Sequence, residues 1–317
     1  MNEDSTITIQ NETVAVLLAV YNGEKYINQQ LSSLEQQTYR DFICYIHDDG
    51  SDDETQNLAA KFCKAHPERF IYLGSSRTGG AKYNFMYMLR QIDADYIMFC
   101  DQDDVWLSEK IEKTFQVMRD AEYDKKEVPT AVHTDVLVTD ANLNVISPSF
   151  YTYTGRDASR NSFKDIMFSA VAVGCTMMIN RSLRQVALQA DVTDLIYMHD
   201  WYLALLARGL GNLVYINEPL MYYRQHGDNV SAPQKADERR TFFRYINYLG
   251  SPKTYLNKKR ASFLRMRQMS EALLMIYEKE AVDEDDSGLR ILRETKRACS
   301  GSLVRGMIYY YRWRFGK

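Results

Sequence analysis

Residues Tyr96–Trp106 read YIMFCDQDDVW, which predicts a buried strand followed by an acidic segment. Its first half, Tyr96–Cys100, is a continuous apolar run of the kind found in strands buried on both faces of a parallel sheet. Its second half places three carboxylates within four positions, at Asp101, Asp103 and Asp104. Such crowding is unfavourable unless a positive charge neutralises it, which a hard divalent cation does. The alternative interpretation is an acidic turn that only caps the following helix.

The same alternation of apolar strand and amphipathic helix extends on both sides of this stretch. The pattern predicts strands at Val14–Val20, Phe42–Ile46 and Phe70–Leu73. It predicts helices at Glu24–Gln37, from Ser51 or Asp52 to Cys63, at Lys82–Arg90 and at Leu107–Arg119. This rhythm indicates an α/β fold with an open, mostly parallel central sheet. In such sheets, ligands bind beyond the carboxyl ends of the strands.

Beyond residue 130 the rhythm changes, and the chain divides into two predicted regions. Further strands are predicted at Val132–Val138, Val171–Ile179, Leu213–Ile216 and Leu220–Tyr223, with a helix at Asp194–Gly209. The sequence then becomes helical and basic, so we place a boundary near Ala232. We therefore expect an α/β nucleotide-binding domain at residues 1–231 and a helical C-terminal extension at residues 232–317.

The charge distribution separates the same two regions. The net charge of the 317-residue chain is −3, but residues 232–317 carry 19 Lys and Arg against 10 Asp and Glu. The remaining residues carry 20 Lys and Arg against 32 Asp and Glu. An acidic front with a basic tail indicates two parts with different partners. The acidic front argues against a nucleic-acid-binding protein.

Cysteine usage and the character of the N-terminus predict a cytoplasmic protein. The five cysteines form neither a C-x-x-C pair nor a Cys/His cluster with zinc spacing. They therefore read as small buried hydrophobes in a reducing compartment. The acidic opening MNEDSTITIQNET lacks the basic region of a signal peptide, and no apolar run reaches the length of a membrane span.

Polar residues also follow the first and second predicted strands. Tyr21 and Asn22 come directly after the first strand, and Asp48 and Asp49 follow the second. An aspartate after the second strand can accept a hydrogen bond from the imide N–H of a uracil or thymine ring. The alternative is a capped strand-to-helix turn.

Two further clusters lie later in the chain. Asp200, in the segment YMHDW, can act as a general base whose pKa is tuned by burial, or it can simply be a helix N-cap. In the segment YYRQHGDN, His226 can contact a metal or a diphosphate, and Arg224 can contact an anion. Alternatively, this histidine is structural.

Taken in chain order, these motifs resemble glycosyltransferase family 2, whose members have the GT-A fold. The matching segments are Ala19–Asn22, Asp48–Ser51, Asp101–Asp103 and His199–Trp201. The resemblance covers about residues 13–231. The variant CDQDDVW, with GCTMMINRSL and YRQHGDNVS later, is similar to bacterial rhamnosyltransferases that build surface polysaccharides. The sequence departs from the commonest family form at His199, where Glu is frequent, and in the additional Asp104.

The resemblance implies a nucleotide site built from the first two loops. Tyr21 would stack near the base, with Asn22 beside it in the same turn. Asp49, together with Asp48, would hold the imide of the pyrimidine.

The resemblance also implies a metal site and a base. Asp101 would face the ribose or a metal-bound water, with Gln102 beside it in the donor site. Asp103 would bind Mg²⁺ or Mn²⁺, with Asp101 as a second ligand, and His226 would complete the metal or diphosphate site. Asp200 would deprotonate the acceptor hydroxyl.

The implied reaction is an inverting transfer of a sugar, rhamnose by resemblance, from a nucleotide sugar such as dTDP-rhamnose to a saccharide or lipid-diphosphate-linked acceptor. The same reaction with a UDP-hexose donor (glucose, galactose or N-acetylhexosamine) stays open, because a base contact selects the pyrimidine and not the sugar. A nucleotidyltransferase usually carries a Gly-rich, basic phosphate loop after the first strand. This chain has Tyr21–Glu24 there, which argues against a nucleotidyltransferase. A non-catalytic sugar- or lipid-binding protein would have no reason to keep both a metal cluster and a candidate base.

The C-terminal region has the composition of an interfacial helix. Residues 253–280 mix apolar positions with Lys and Arg, and the final segment LVRGMIYYYRWRFGK interleaves aromatic rings with arginine. This composition suits a membrane interface. We therefore predict peripheral attachment at the inner face of the cell membrane. The alternatives are a helical cap on the α/β domain or a homodimer contact.

Overall fold

The computed structural model describes residues 7–8, 14–123, 127–169, 171–227, 252–301 and 303–315. Its strands are β1 (Ile7–Thr8), β2 (Val14–Val20), β3 (Phe42–Asp48), β4 (Phe70–Ser75), β5 (Ile92–Asp93), β6 (Tyr96–Asp101), β7 (Val105–Trp106), β8 (Thr130–Thr139), β9 (Val145–Ser147), β10 (Met177–Asn180) and β11 (Asn212–Arg224).

The helices follow the same chain order. They are α1 (Ile27–Glu35), α2 (Thr55–Ala65), α3 (Ala81–Gln91), α4 (Lys110–Ala121), α5 (Phe150–Thr154), α6 (Phe163–Phe168), α7 (Arg181–Ala187), α8 (His199–Leu210), α9 (Pro252–Lys279), α10 (Ser287–Ser300) and α11 (Leu303–Phe315). A single 3₁₀ turn at Gly174–Thr176 precedes β10.

One large sheet holds the strands in the order β4-β3-β2-β6-β10-β8-β11-β7, with β9 paired to β8. The first four strands run parallel to one another. β10 is antiparallel to both β6 and β8, and β8 and β11 are parallel to each other. β7 pairs antiparallel with β11, and β9 pairs antiparallel with β8. The predicted α/β fold with a mostly parallel central sheet is confirmed.

β2 lies inside the parallel half of the sheet because its residues are apolar throughout. Val16 and Leu18 point into one hydrophobic layer, and Ala15 and Leu17 point into the other. A parallel sheet of this kind needs helices on both faces. α1, α2 and α4 cover one face, and α3, α6, α7 and α8 cover the other.

The prediction of a strand at Val171–Ile179 is wrong in its first half. β10 begins only at Met177, and the preceding residues turn through Gly174–Thr176. The N–H of Gly174 donates to the side chain of Asp200 instead of to a neighbouring strand. The apolar residues before the strand are nevertheless buried, and an apolar run alone cannot distinguish a buried turn from a strand.

The two strands predicted at Leu213–Ile216 and Leu220–Tyr223 are one strand, β11. Its register against β8 shifts on both sides of Pro219. Proline lacks the N–H that would donate a hydrogen bond to the neighbouring strand. The sequence therefore predicts a break at Pro219, where the strand continues with an irregular register. The helix predicted from Asp194 begins later, at His199.

The C-terminal helices pack against the α/β part of the chain. Leu273 and Ile276 of α9 and Leu292 of α10 are fully buried in the same core as Leu205 of α8. The predicted helical extension is therefore confirmed. The predicted boundary near Ala232 lies outside the described residues and stays a prediction. Within the described residues, no helix is long and apolar enough to cross a membrane.

Gly209 of α8 lies against Tyr277 of α9, which gives a test of this packing. A Cβ at this position would lie 1.8 Å from the hydroxyl of Tyr277 and 2.8 Å from a ring carbon of Phe163. Gly209→Ala should therefore lose about 3 kcal/mol through overpacking. This exceeds the roughly 1 kcal/mol that alanine gains over glycine in a helix. Denaturant unfolding measures the difference.

Two further variants make this measurement specific. Tyr277→Phe removes the hydroxyl and should restore part of the stability that Gly209→Ala loses. Gly227→Ala serves as the control, because a Cβ there meets nothing within 4 Å. A Gly209→Ala protein as stable as the wild type would show that α8 and α9 do not pack in this way.

Candidate active site

The carboxyl ends of three adjacent parallel strands meet at one edge of the sheet. Ala19 of β2 pairs with His47 of β3 on one side and with Asp101 of β6 on the other. The loops that follow these strands therefore lie side by side, where ligands bind in parallel α/β sheets.

The side chain of Gln102 fastens the D-x-D segment to the loop after β2. Its Nε2 donates to the carbonyl of Tyr21 and its Oε1 accepts from the N–H of Tyr21, both at 2.7 Å. A Cβ on Gly23 would come within 2.3 Å of that Oε1, so only glycine fits there without moving Gln102. The ring of Tyr21 is 45% exposed and is free to stack on a planar ligand.

Asn22 joins the loop after β2 to the loop after β3. Its φ is 47°, in the left-handed region that asparagine tolerates better than most residues. Its N–H donates to Ser51 Oγ, and its Oδ1 accepts from the N–H of Asp52, both at 2.9 Å. The two loops therefore form one unit.

The carboxylate of Asp48 is fully buried and is used by its own turn. Its Oδ1 accepts from the N–H groups of Gly50 and Ser51 and from the hydroxyl of Ser75. Its Oδ2 accepts from Ser51 Oγ at 2.5 Å. This arrangement supports the capped-turn interpretation for Asp48, which can act on a nucleotide only through the residues that it orders.

The carboxylate of Asp49 holds the segment that leads into α3. It accepts hydrogen bonds from the N–H and hydroxyl of Thr78 and from the N–H groups of Gly79 and Gly80. Burial opposes ionisation of Asp49, but these hydrogen bonds outweigh it and lower its pKa. A carboxylate offers about four acceptor positions. The predicted contact with a base imide stays a prediction, and it requires one of these bonds to be exchanged.

The carboxylates at the end of β6 are as crowded as the sequence predicts. Donor atoms of Asp101, Asp104 and Cys175 lie within 4.8 Å of one another. Burial, then the charges of Asp103 and Asp200, raise the pKa of Asp101 to about 7. Burial, then the charges of Asp103 and Asp101, also raise the pKa of Asp104 well above its usual range. Asp200, in the first turn of α8, therefore contributes to the same crowding.

His226 lies directly against Asp103. Its Nε2 is 2.7 Å from Asp103 Oδ2, and both side chains are partly buried. The imidazole also packs against the ring of Tyr26, with centroids 4.8 Å apart. His226, which is predicted to complete the metal site, therefore contacts Asp103, which is predicted to bind the metal.

The interpretation of Arg224 as an anion contact is wrong. Its side chain is 2% exposed, and its guanidinium donates to the carbonyls of Asp103 and Ala141 and to Gln29 Oε1. Its backbone N–H donates to Asp104 Oδ1 at 3.0 Å. These acceptors make Arg224 a support for the D-x-D segment.

Asp200 lies at the start of α8, with both of its oxygens held by backbone groups. Oδ2 accepts from the N–H of Gly174 at 3.0 Å, and Oδ1 accepts from the N–H of Trp201 at 2.6 Å. Gly174 is the neighbour of Cys175, whose sulfur lies close to Asp101. This short chain of contacts connects the predicted base to the predicted metal cluster.

His199 is a core residue. Its ring packs against Phe85 and Phe99, with centroids 4.4 and 5.1 Å away, and burial lowers its pKa. A Cβ on Gly174 would come within 2.7 Å of His199 Nε2. The sequence did not predict that position 174 requires glycine. The only signal for it was a single glycine within the apolar segment Val171–Ile179.

Among the described residues, the ligand atoms of Asp101, Asp104 and Cys175 are close enough to one another to hold a cation. In this set Asp104 is fully buried, and burial raises the pKa of the Cys175 thiol well above its usual value. A protonated thiol is a poor ligand for a hard cation. Asp103 and His226 are also in contact, at 2.7 Å, and both are partly exposed; a carboxylate oxygen and a ring nitrogen are atom types that can bind Mg²⁺ or Mn²⁺.

The raised pKa of Asp101 predicts a pH-dependent stability in metal-free protein. The folded state favours the protonated form, so this contribution is complete below pH 4 and is lost as pH rises towards 7. Between pH 5 and 7.5, Asp101→Asn should make the free energy of unfolding less dependent on pH. The exposed Asp285→Asn variant should keep the wild-type slope. Equal slopes in Asp101→Asn and wild type would contradict the crowding.

Comparison with known proteins agrees with this geometry. The family model for glycosyl transferase family 2 matches residues 15–183. The dTDP-rhamnosyl transferase RfbG of Shigella flexneri is 31% identical over 222 residues, which are 67% of this chain and 72% of that protein. A glucosyltransferase of Escherichia coli, the UDP-Glc:alpha-D-GlcNAc-diphosphoundecaprenol beta-1,3-glucosyltransferase WfgD, is 29% identical over 33% of this chain and 40% of its own.

Solved structures share the fold at low sequence identity. TarS 1–349 of S. aureus in complex with UDP superimposes with a TM-score of 0.54 at 15% identity, covering 96% of this chain and 92% of that one. This chain spans 53% of the longer TarS chain. The mannosyltransferase PcManGT of Pyrobaculum calidifontis, in complex with GDP-Man and Mn²⁺, gives 0.50 at 12% identity over 94% of this chain and 78% of that one. The chain belongs to glycosyltransferase family 2 and has the GT-A fold.

Proposed function

We propose that this chain transfers a sugar, with inversion at the anomeric carbon, from a nucleotide sugar to a saccharide or lipid-diphosphate-linked acceptor in cell-surface polysaccharide synthesis. The proposed donor is dTDP-rhamnose. The observation that carries the proposal is the convergence of Asp101 and Asp103, at the end of β6, with Asp200, at the start of α8. Single-step transfer needs carboxylates for a cation and a separate carboxylate for the acceptor hydroxyl.

The residues at the end of β6 fit a divalent cation. Asp101 and Asp103 supply the oxygen ligands that Mg²⁺ and Mn²⁺ prefer, and His226 adds a ring nitrogen beside Asp103. Burial, and then the charges of Asp103 and Asp200, raise the pKa of Asp101 to about 7. A bound cation would relieve the repulsion from these charges. When bound, the cation would neutralise charge that develops on the diphosphate leaving group.

Asp200 is the proposed base for the acceptor hydroxyl. The N–H groups of Gly174 and Trp201 fix both of its oxygens, so the carboxylate is oriented before the acceptor arrives. Because the hydroxyl attacks opposite the leaving group in one step, one base is sufficient and no covalent intermediate forms. Its neighbour His199 is buried between two aromatic rings and has no part in this step.

The joined loops after β2 and β3 are the proposed nucleotide site. The exposed ring of Tyr21 would stack on the base while Gln102 holds the Tyr21 backbone. Asn22 joins the two loops. Asp49 would exchange one of its hydrogen bonds for the pyrimidine imide, and the buried Asp48 would order the turn around it.

Two relatives favour different donor sugars. The Shigella flexneri relative is a dTDP-rhamnosyl transferase and shares the larger part of the chain, which supports dTDP-rhamnose. The Escherichia coli relative uses UDP-Glc, which supports a UDP-hexose as the second candidate. A non-catalytic sugar- or lipid-binding protein would leave the arrangement of Asp200 beside the D-x-D segment without a purpose.

We also propose that α11 attaches the enzyme to the inner face of the cell membrane. Arg305, Ile308 and Arg312 recur at helical spacing on α11, and all three are exposed, as is Tyr311. A helix face with arginine beside apolar and aromatic side chains fits an anionic lipid surface. The alternative occupant of this face is a second copy of the chain.

Two aspartate variants test the proposed reaction. Asp200→Ala should lower transfer by about 10²–10⁴-fold and leave nucleotide binding intact, because only proton removal is lost. Asp103→Ala should lose metal-dependent nucleotide binding. Nucleotide release is measured with dTDP-rhamnose and a panel of UDP-sugars, in Mg²⁺, Mn²⁺ or EDTA, with calorimetry of dTDP and UDP binding.

The exposed Asp285→Ala variant is the matched control and should behave as wild type. Release from one donor that requires metal identifies the donor. If neither dTDP nor UDP binds in the presence of metal, the proposal is overturned.

Vesicle sedimentation tests the membrane attachment. The intact chain should bind vesicles containing phosphatidylglycerol and bind pure phosphatidylcholine weakly. The double variant Arg305→Glu, Arg312→Glu should reduce binding at least tenfold, since each basic residue near an anionic surface contributes about 1 kcal/mol. Charge reversal at Lys61 and Lys64, exposed on α2, is the control. Equal binding by both double variants, or no binding by wild type, would contradict attachment through α11.

A further inference from the structure

A groove beside the D-x-D segment has no part in the transfer proposed above. Its volume is about 410 Å³, within the range of small-ligand sites. One wall is the outer side of α1, a second is the segment Val105–Ser108, and Leu143 closes it from the turn between β8 and β9. The groove therefore begins two residues after Asp103.

The polar side chains in this groove are free to bind a ligand. Asn28 and Ser32 on α1, Gln36 directly after α1 and Ser108 opposite them are exposed. Across the part of the chain that the structure describes, none of these four side chains makes a hydrogen bond. Each amide and each hydroxyl can both donate and accept. A ligand with many groups that also donate and accept would match them.

The groove contains no charged side chain among its lining residues. A phosphate or carboxylate ligand would need Arg or Lys, and a cation would need carboxylates. The apolar part of the lining is Val105, Trp106 and Leu143. A surface that combines apolar patches with uncharged amides and hydroxyls fits the C–H faces and hydroxyl groups of a neutral sugar.

The groove is connected to the D-x-D segment through two hydrogen bonds. Gln29, which also lines the groove, accepts from the guanidinium of Arg224 at 2.6 Å. The same guanidinium donates to the carbonyl of Asp103 at 2.7 Å. A ligand in the groove is therefore held next to the segment that carries the proposed metal ligands.

We propose that this groove binds a neutral saccharide, namely a part of the acceptor chain remote from the hydroxyl that reacts. The inference rests on the proposed function for the statement that the acceptor is a saccharide. Binding of a distant part of the acceptor positions the chain without contacting the reacting atoms. It therefore lowers KM for long acceptors and leaves kcat unchanged.

Saccharide binding by the full chain tests the groove without donor or metal. The probes are methyl α-L-rhamnoside and neutral rhamnose di- and trisaccharides, and the readout is the indole N–H signal of Trp106 by NMR. The chain has three tryptophans, so the loss of one signal in Trp106→Phe assigns it. Trp106 lines the groove and is 3% exposed, and its N–H has no partner among the described residues. A ligand bound in the groove changes the surroundings of this side chain, which the indole signal reports.

We expect the trisaccharide to shift the Trp106 signal. Gln36→Ala should weaken this binding at least fivefold, and Ser32→Phe, which fills the groove, should abolish it. Gln116→Ala, on the exposed side of α4, is the matched control and should bind as wild type. Binding of dTDP and UDP should be unchanged in all three variants.

The inference is overturned if no probe shifts the Trp106 signal, or if Ser32→Phe binds the trisaccharide as wild type does. Because this measurement needs neither donor nor metal, its outcome is separate from that of the transfer reaction. An active transferase without saccharide binding overturns the groove alone. Saccharide binding in a chain that binds no nucleotide overturns the proposed function and leaves the groove.

Discussion

Repulsion among the carboxylates at the end of β6 is the constraint on which the rest of the site depends. Asp101, Asp103 and Asp104 cannot all be ionised at close range in a partly buried place without an opposing charge. Asp200 adds to the repulsion from α8. A protein without a use for this arrangement would gain stability by losing some of these charges. The proposed cation would relieve this crowding.

Hydrogen bonds from backbone N–H groups and from side chains far away in the sequence hold these carboxylates and their segment in place. The side-chain amide of Gln102 forms two hydrogen bonds with the backbone of Tyr21. The buried guanidinium of Arg224 donates to the carbonyl of Asp103 and, in the turn between β8 and β9, to that of Ala141. Backbone N–H groups from Gly174 and Trp201 hold Asp200. Oriented dipoles of this kind fix a geometry before substrate arrives, which reduces the reorganisation needed during reaction.

The hydrophobic layers position Asp200 on α8 relative to the carboxylates at the end of β6. α8 carries Asp200, and its apolar face is buried between the sheet and the C-terminal helices. The close approach of Gly209 to Tyr277 shows how tightly α9 fits against α8. The C-terminal region is thus part of the support for the proposed base, in addition to any role that α11 has at a membrane. Changes in α9 can therefore affect Asp200 without touching it.

Much of the fold was determined by local sequence alone. Continuous apolar runs such as Val14–Val20 identify buried parallel strands, and the carboxylates of Asp101–Asp104 directly follow one of them, so the edge of the sheet that carries the site was predictable. Local patterns identify which residue types are present and which secondary structure they favour. They carry no information about partners that are a hundred residues apart.

Long-range packing sets those distant partners. The sequence offered Arg224 as a ligand for an anion, but packing buries it beneath Asp103. It offered a strand through Gly174, but the approach of His199 and Asp200 makes the chain turn there. It gave no sign that Thr78–Gly80 would donate hydrogen bonds to Asp49, so that the proposed base contact requires one of these bonds to be exchanged. In each case the reason is the same: a buried polar group takes the nearest partner that the fold provides, and that partner is set by long-range packing.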